Sequence, residues 1–198
     1  MTKYRPPGNF LSRFCMIKWL ILNSVAATSY CFLFYINLLF FDALSHSEFI
    51  GWIFLPAGLR LFFVIVYRYH ALAGLLAGSL LCSLFLETNE SVFFILGVGL
   101  ASTLSPLFAL LLKEKFDKKF SMDLHDLGFV DILSLAILQA FISTVFHHVI
   151  FLYHGQVVQE NFLAGELAMF FGDLFGIVIM LVFLTLGLKL ILKFHKAS

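Results

Sequence analysis

The chain has 198 residues, of which 61% are hydrophobic and 13% charged, with 26 Phe, a formal net charge of +1 and a mean hydropathy of +0.98. Soluble domains carry roughly 45 to 50% apolar and about 25% charged residues, so a water-soluble globule is excluded and an integral membrane protein is expected. With 4 Pro, 13 Gly and 3 Cys, disordered, collagenous and disulfide-stapled chains are excluded as well.

A bilayer core of about 30 Å needs roughly 17 to 25 apolar residues per helical crossing. The apolar runs predict six helices, at 19–41, 51–67, 71–86, 91–112, 128–153 and 163–188. The fold class is therefore all-α, a polytopic membrane helix bundle formed as one domain over 1–198. No period-two alternation of the kind a membrane barrel needs is present. Six crossings leave no room for a soluble catalytic domain of ordinary size, about 50 residues or more.

The first run could be cleaved as a signal peptide near Val25-Ala26-Ala27, but it stays apolar to Phe41, which suits a retained anchor. Tyr30 before Cys31 does not suit lipoprotein processing. Runs two and three are the shortest, with only Arg68-Tyr69-His70 between them. They predict either a tight hairpin or a partly re-entrant pair. Twelve of the thirteen Lys and Arg, all but Arg60, fall in segments on one side of this threading. The other three loops carry only acids, among them Asp42, Glu48, Glu87, Glu90 and Glu160. By the positive-inside rule both termini are expected in the cytoplasm. The segment Lys113-Glu-Lys-Phe-Asp-Lys-Lys then serves as a topology determinant and a contact for anionic lipid, with no nucleic-acid partner implied.

Ionisable groups inside a span are expensive, so they are functional candidates. Arg60 lies eight positions past Trp52, where the second run enters, and Asp173 nine past Ala164, where the sixth enters from the same side. They are expected at similar depth and form a candidate ion pair, whose bland alternative is a fixed structural bridge. Glu166 lies seven residues before Asp173, on the same face of helix six. In helix five, Gln139, Ser143 and His147 follow at intervals of four, with His148 beside them and His154 returning to that face. These stripes are expected to line a polar cavity open to the periplasm, suited to a small ligand, a proton relay or a metal. His147 and His148 point about 100° apart, so no metal site and no cofactor is assigned. Cys15, Cys31 and Cys82 show no metal-ligand spacing and are expected to be apolar filler. No His-Glu-x-x-His, phosphate loop, nucleophile elbow or Ser/His/Asp pattern occurs, so no catalytic residue is assigned and a non-enzymatic role is expected.

Ala164, Ala168, Gly172 and Gly176 form a small-residue stripe on helix six, and Gly74 and Gly78 another on helix three. The two stripes are expected to meet. The segment Phe54-Leu-Pro-Ala-Gly-Leu-Arg-Leu-Phe-Phe-Val-Ile-Val-Tyr, followed by Ala71-Leu-Ala-Gly-Leu-Leu-Ala-Gly-Ser-Leu, resembles the opening motif of bacterial membrane-associated sensor domains of the MASE family. Phe171-Gly-Asp-Leu-Phe-Gly-Ile resembles the family's late Gly-Asp motif. The resemblance covers about a quarter of the chain and maps onto Pro56, Gly58, Gly74, Gly78, Gly172, Asp173 and Gly176. It implies an input module of the inner membrane, which in that family usually precedes a histidine kinase or a cyclic-di-nucleotide synthase or hydrolase. This chain is shorter than the family's typical domain and ends at Ser198 without an output domain, so signalling through a partner in trans is expected. The partners expected are membrane lipid and a kinase, a cyclic-nucleotide enzyme or a subunit of a membrane complex, with a homo-oligomer compatible. The rival classes are a small-solute transporter or substrate-binding membrane subunit, and a structural subunit.

Overall fold

The computed structural model describes residues 10–41, 45–47, 50–85, 90–117, 120, 127–155 and 162–197. Asp42, Glu48, Glu87 and Glu160, expected in outer loops, lie outside the described residues, as do Lys118 and Lys119. Six α-helices appear among the described residues: α1 (Phe10–Phe41), α2 (Leu55–Tyr67), α3 (Leu72–Phe85), α4 (Val92–Phe116), α5 (Phe129–Tyr153) and α6 (Phe162–Ala197). A short antiparallel ribbon, β1 (Ser45–Ser47) with β2 (Ile50–Gly51), precedes α2.

Five helical segments are long and apolar enough to cross a membrane: Cys15–Phe41, Leu55–Leu84, Val92–Phe116, Phe129–Tyr153 and Leu163–Leu184. The chain is thus a multi-pass helical protein of membrane type. Six equal crossings are not what the helices offer, because the second segment contains both α2 and α3. These have 13 and 14 residues, about 20 Å each at 1.5 Å per residue.

Contacts with α1 settle how this pair runs. Leu55, at the start of α2, meets Asn37, and His70, beyond its end, meets Asn23. Helix α2 is therefore antiparallel to α1. Gly74 then meets Asn23 and Gly78 meets Ala27, so α3 runs parallel to α1. The chain reverses through the 3-10 turn Arg68–Ala71, where Arg68 takes φ 52 and ψ −132, a region that favours glycine.

Short helices inside a membrane protein need partners for their first N–H groups, and α1 supplies them. The Asn37 Oδ1 accepts from the Leu55 N–H at 2.9 Å. The Asn23 Oδ1 accepts from the Gly74 N–H in the first turn of α3, while its Nδ2 donates to the carbonyls of Trp19 and His70. The Phe54 N–H donates to the Gly172 carbonyl of α6 at 2.9 Å.

Helix two, expected from Gly51, starts instead at Leu55. Gly51 belongs to the ribbon and its carbonyl abuts Gly172. That residue lies ten positions into α6, about 15 Å along its axis. The non-helical stretch before α2 thus packs well down the flank of α6, where protein covers its backbone. In α4, Pro106 deprives the Ser102 carbonyl of its helical donor, and the Ser105 hydroxyl donates to that carbonyl at 3.1 Å. The helix continues through the proline.

Candidate functional site

Helix α2 sits against α6, α1 and α4, and its close approach to α6 depends on glycine. A Cβ at Gly176 would collide with the Phe54 carbonyl, one at Gly172 with the Gly51 carbonyl, and one at Gly58 with the Met180 side chain. Pro56 occupies the first turn of α2, where its missing N–H costs nothing. Gly74 and Gly78 pack on Asn23, Ala27 and Tyr30 of α1. The stripes on α3 and α6 therefore do not meet each other. Each meets the backbone of another segment, because the ribbon and α2 fill the space beside α6.

This packing brings Arg60 onto Asp173. The Nη2 of Arg60 donates to Oδ1 at 3.2 Å and Oδ2 at 3.3 Å, and both residues are buried, Arg60 at 1% exposure. The guanidinium carbon also lies 5.4 Å from the centre of the Phe54 ring. Later helix onset places Arg60 five residues into α2 in place of eight, yet the expected pair forms. Its geometry is one-sided. Nε and Nη1 of Arg60 are buried and find no hydrogen-bond partner among the described residues.

Gln139 of α5 reaches across to α2, its Nε2 donating to the Ala57 carbonyl at 3.0 Å. Ala57 is one turn before Arg60, and a helical carbonyl points along the axis toward the following turn. Gln139 therefore lies along the turn that carries Arg60. Its Oε1 is buried without a partner among the described residues, as is the Thr103 hydroxyl of α4.

The histidines diverge, as the helical angle requires. His147 is buried and turns to α4: its Nδ1 donates to the Ser143 carbonyl at 2.7 Å. That bond leaves Nε2 to accept from the Ser102 hydroxyl at 3.1 Å. His148 turns to α6, where its Nδ1 pairs with Glu166 Oε1 at 2.8 Å in a half-buried contact. His154 bonds the Ile150 carbonyl and packs edge-on against Phe94. The expected polar residues thus divide into a buried group, Arg60, Asp173, Gln139 and His147, and a half-buried pair, His148 with Glu166. Glu166 lies about 10 Å along α6 from Asp173 on the same face. The two histidines do not converge on one point.

Residues not expected from the sequence complete the buried group. Asn23, Tyr30 and Asn37 repeat every seven positions and so share one face of α1. Tyr30 is 2% exposed and packs against Gly78 of α3. The detectable signal is that polar heptad in an apolar helix. At the end of the bundle rich in basic residues, Arg68 pairs with Glu114, and Lys113 pairs with Asp117 at 2.9 Å and Asp131 at 3.1 Å. These bonds tie the α2–α3 turn and the start of α5 to the end of α4.

No family model, no curated protein and no solved structure matches the chain.

Proposed function

We propose that the protein is a non-enzymatic, sensor-like module of a bacterial inner membrane. A small ligand or partner engages the polar core between α2, α5 and α6 from the periplasmic side. The resulting change passes to a partner protein in trans at the cytoplasmic face. The observation that carries this reading is the half-satisfied Arg60. One nitrogen holds Asp173, while among the described residues Nε and Nη1 of Arg60 and, on α5, the Oε1 of Gln139 stay buried without partners. Buried polar groups left unmade cost about 1 to 3 kcal/mol each, so an occupant that completes them binds one arrangement of α2 better than another. Differential affinity of that kind is what moves a conformational equilibrium. Helix α2 carries the change, since its far end enters the turn held by Arg68 and Glu114. The resemblance of Pro56, Gly58, Gly74, Gly78 and the Gly172–Gly176 segment to MASE domains supports the same reading, with a kinase or cyclic-nucleotide enzyme as partner.

The test is native mass spectrometry of the full chain extracted in mild detergent, together with capture of cytoplasmic partners. A small molecule carried by the wild type and lost in Arg60→Gln, with partner capture through 113–127 and 189–198, is the expected result. A wild type free of any ligand, whose partner capture is unchanged after both segments are scrambled, overturns the reading.

One observation favours a second reading, transport. Helix α2 begins inside the bundle beside Gly172, behind a non-helical stretch, and interrupted helices of this kind frame solute sites in transporters. Solute flux into proteoliposomes without any partner protein distinguishes it.

A further inference from the structure

Helices α1 and α3 run parallel at very close range in a constant register. Asn23 faces Gly74 and Ala27 faces Gly78, the second contact so tight that a Cβ on Gly78 would lie 3.1 Å from the Ala27 Cα. Both positions are related by 51 residues, and the next turn in that register pairs Cys31 with Cys82. The side chains follow the backbone. Cys31 Sγ lies 3.6 Å from the carbonyl of Gly78, one turn before Cys82 on α3, and Cys31 packs against the apolar cluster that contains Cys82. A disulfide requires Cα atoms about 4.4 to 6.8 Å apart, a range that helices in contact at glycine reach. Cys82 is buried and Cys31 partly exposed on the surface of the bundle. Both lie inside apolar segments of membrane-crossing type. A charged aqueous oxidant is excluded from such a place, whereas a neutral lipid-soluble one is not.

We propose that Cys31 and Cys82 form a redox-responsive dithiol that a lipid-soluble quinone converts to a disulfide between α1 and α3. The two S–H bonds break and one S–S bond forms. Two electrons and two protons pass to the quinone, which leaves as the quinol. Helix α1, which carries Cys31, also packs against α2, the helix of Arg60, and its Asn37 accepts from the Leu55 N–H there. The bond therefore fixes the helix pair that borders the buried ion pair, and the redox state of the lipid phase becomes an input to the polar core. This inference stands whether or not a small ligand binds there.

The experiment uses the full-length chain with Cys15→Ser in lipid nanodiscs, treated with a short-chain ubiquinone analogue. Peptide mass spectrometry under non-reducing conditions is expected to find the 31–82 crosslink with loss of two hydrogens, one quinol per crosslink by absorbance, and reversal by a phosphine reductant. The same protein unfolded in SDS is expected to crosslink at least tenfold more slowly. Intact thiols at both positions in folded, quinone-treated protein, shown by alkylation after denaturation, overturn the proposal. So does crosslinking no faster in the folded than in the unfolded protein, because the register would then contribute nothing.

Discussion

Arg60 and Asp173 show how unequal the parts of one ion pair are. Replacing either alone leaves its partner charged in a place from which water is excluded, a loss of about 3 to 5 kcal/mol. We predict that Arg60→Gln and Asp173→Asn each destabilise by that order in an SDS-unfolding titration. The double variant is expected to lose clearly less than the sum, with a coupling of about 0.5 to 3 kcal/mol. Additive losses would mean that the two do not act as a pair. Asn23 makes a sharper case, because its amide serves the Trp19 and His70 carbonyls and the Gly74 N–H at once. Asn23→Leu is expected to cost about 2 kcal/mol or more by stranding those groups, and faster hydrogen exchange at Gly74 is the readout. The ion pair was legible in the sequence because two opposite charges in apolar runs at matched depth have few other ways to be tolerated. Asn23, Tyr30 and Asn37 were harder to read. Uncharged amides and a phenol raise hydropathy penalties too small to stand out, and only their spacing of seven marks them. That Arg60 would use one nitrogen and leave two unused depends on side-chain angles that no spacing encodes.

At the level of elements, helix existence followed from apolar runs, but the onset of α2 did not. Gly51 to Phe54 are as apolar as α2 itself, so hydropathy cannot distinguish a ribbon leading into a buried helix start from the helix. The glycine stripes were equally readable as close-packing surfaces, yet their partners were not, because small residues receive any backbone that reaches them. Gly176 receives the Phe54 carbonyl, which is fixed by the helix it begins. Gly176→Ala is therefore predicted to cost at least about 1 to 3 kcal/mol through forced separation of α2 and α6. Gly128→Ala, whose added methyl would meet only Asp131 Oδ2 at an ordinary 3.5 Å, is expected to change stability by under about 0.5 kcal/mol. Equal effects at the two positions would mean that the α2–α6 contact is not close. The turn between α2 and α3 gives the opposite sign. Arg68 holds a positive φ, a strain of order 1 to 3 kcal/mol, and its exposed bond to Glu114 returns about 1 kcal/mol at most. Arg68→Gly is predicted to unfold no more easily than the wild type, whereas Arg68→Val, β-branched at that φ, is predicted to lose more than 1 kcal/mol.

Over the whole molecule the decisive question is which ends of the helices share a side. Hydropathy and the distribution of Lys and Arg speak to this more directly than packing does, since a bundle packs identically in either orientation. Packing adds one constraint that the sequence left open between a tight hairpin and a re-entrant pair. The α2–α3 turn lies level with Asn23 and is joined to Glu114, so it shares an end with the close of α4. Single cysteines in an otherwise cysteine-free chain can test both points with a membrane-impermeant maleimide on sealed vesicles of known orientation. Tyr69→Cys and Asp117→Cys are expected to label from the cytoplasmic side and Ser91→Cys from the opposite side. Tyr69→Cys is informative because Tyr69 is 63% exposed, so failure to react would reflect lipid and not protein cover. If Asp117→Cys labels and Tyr69→Cys does not, α2 and α3 turn within the bilayer, and a signal travelling along α2 would have to leave through Glu114 and α4. If both label together, the turn itself is the surface offered to a cytoplasmic partner. Labelling of Ser91→Cys and Asp117→Cys from one side would be incompatible with α4 as a crossing, and the threading built on the positive charges would fall with it.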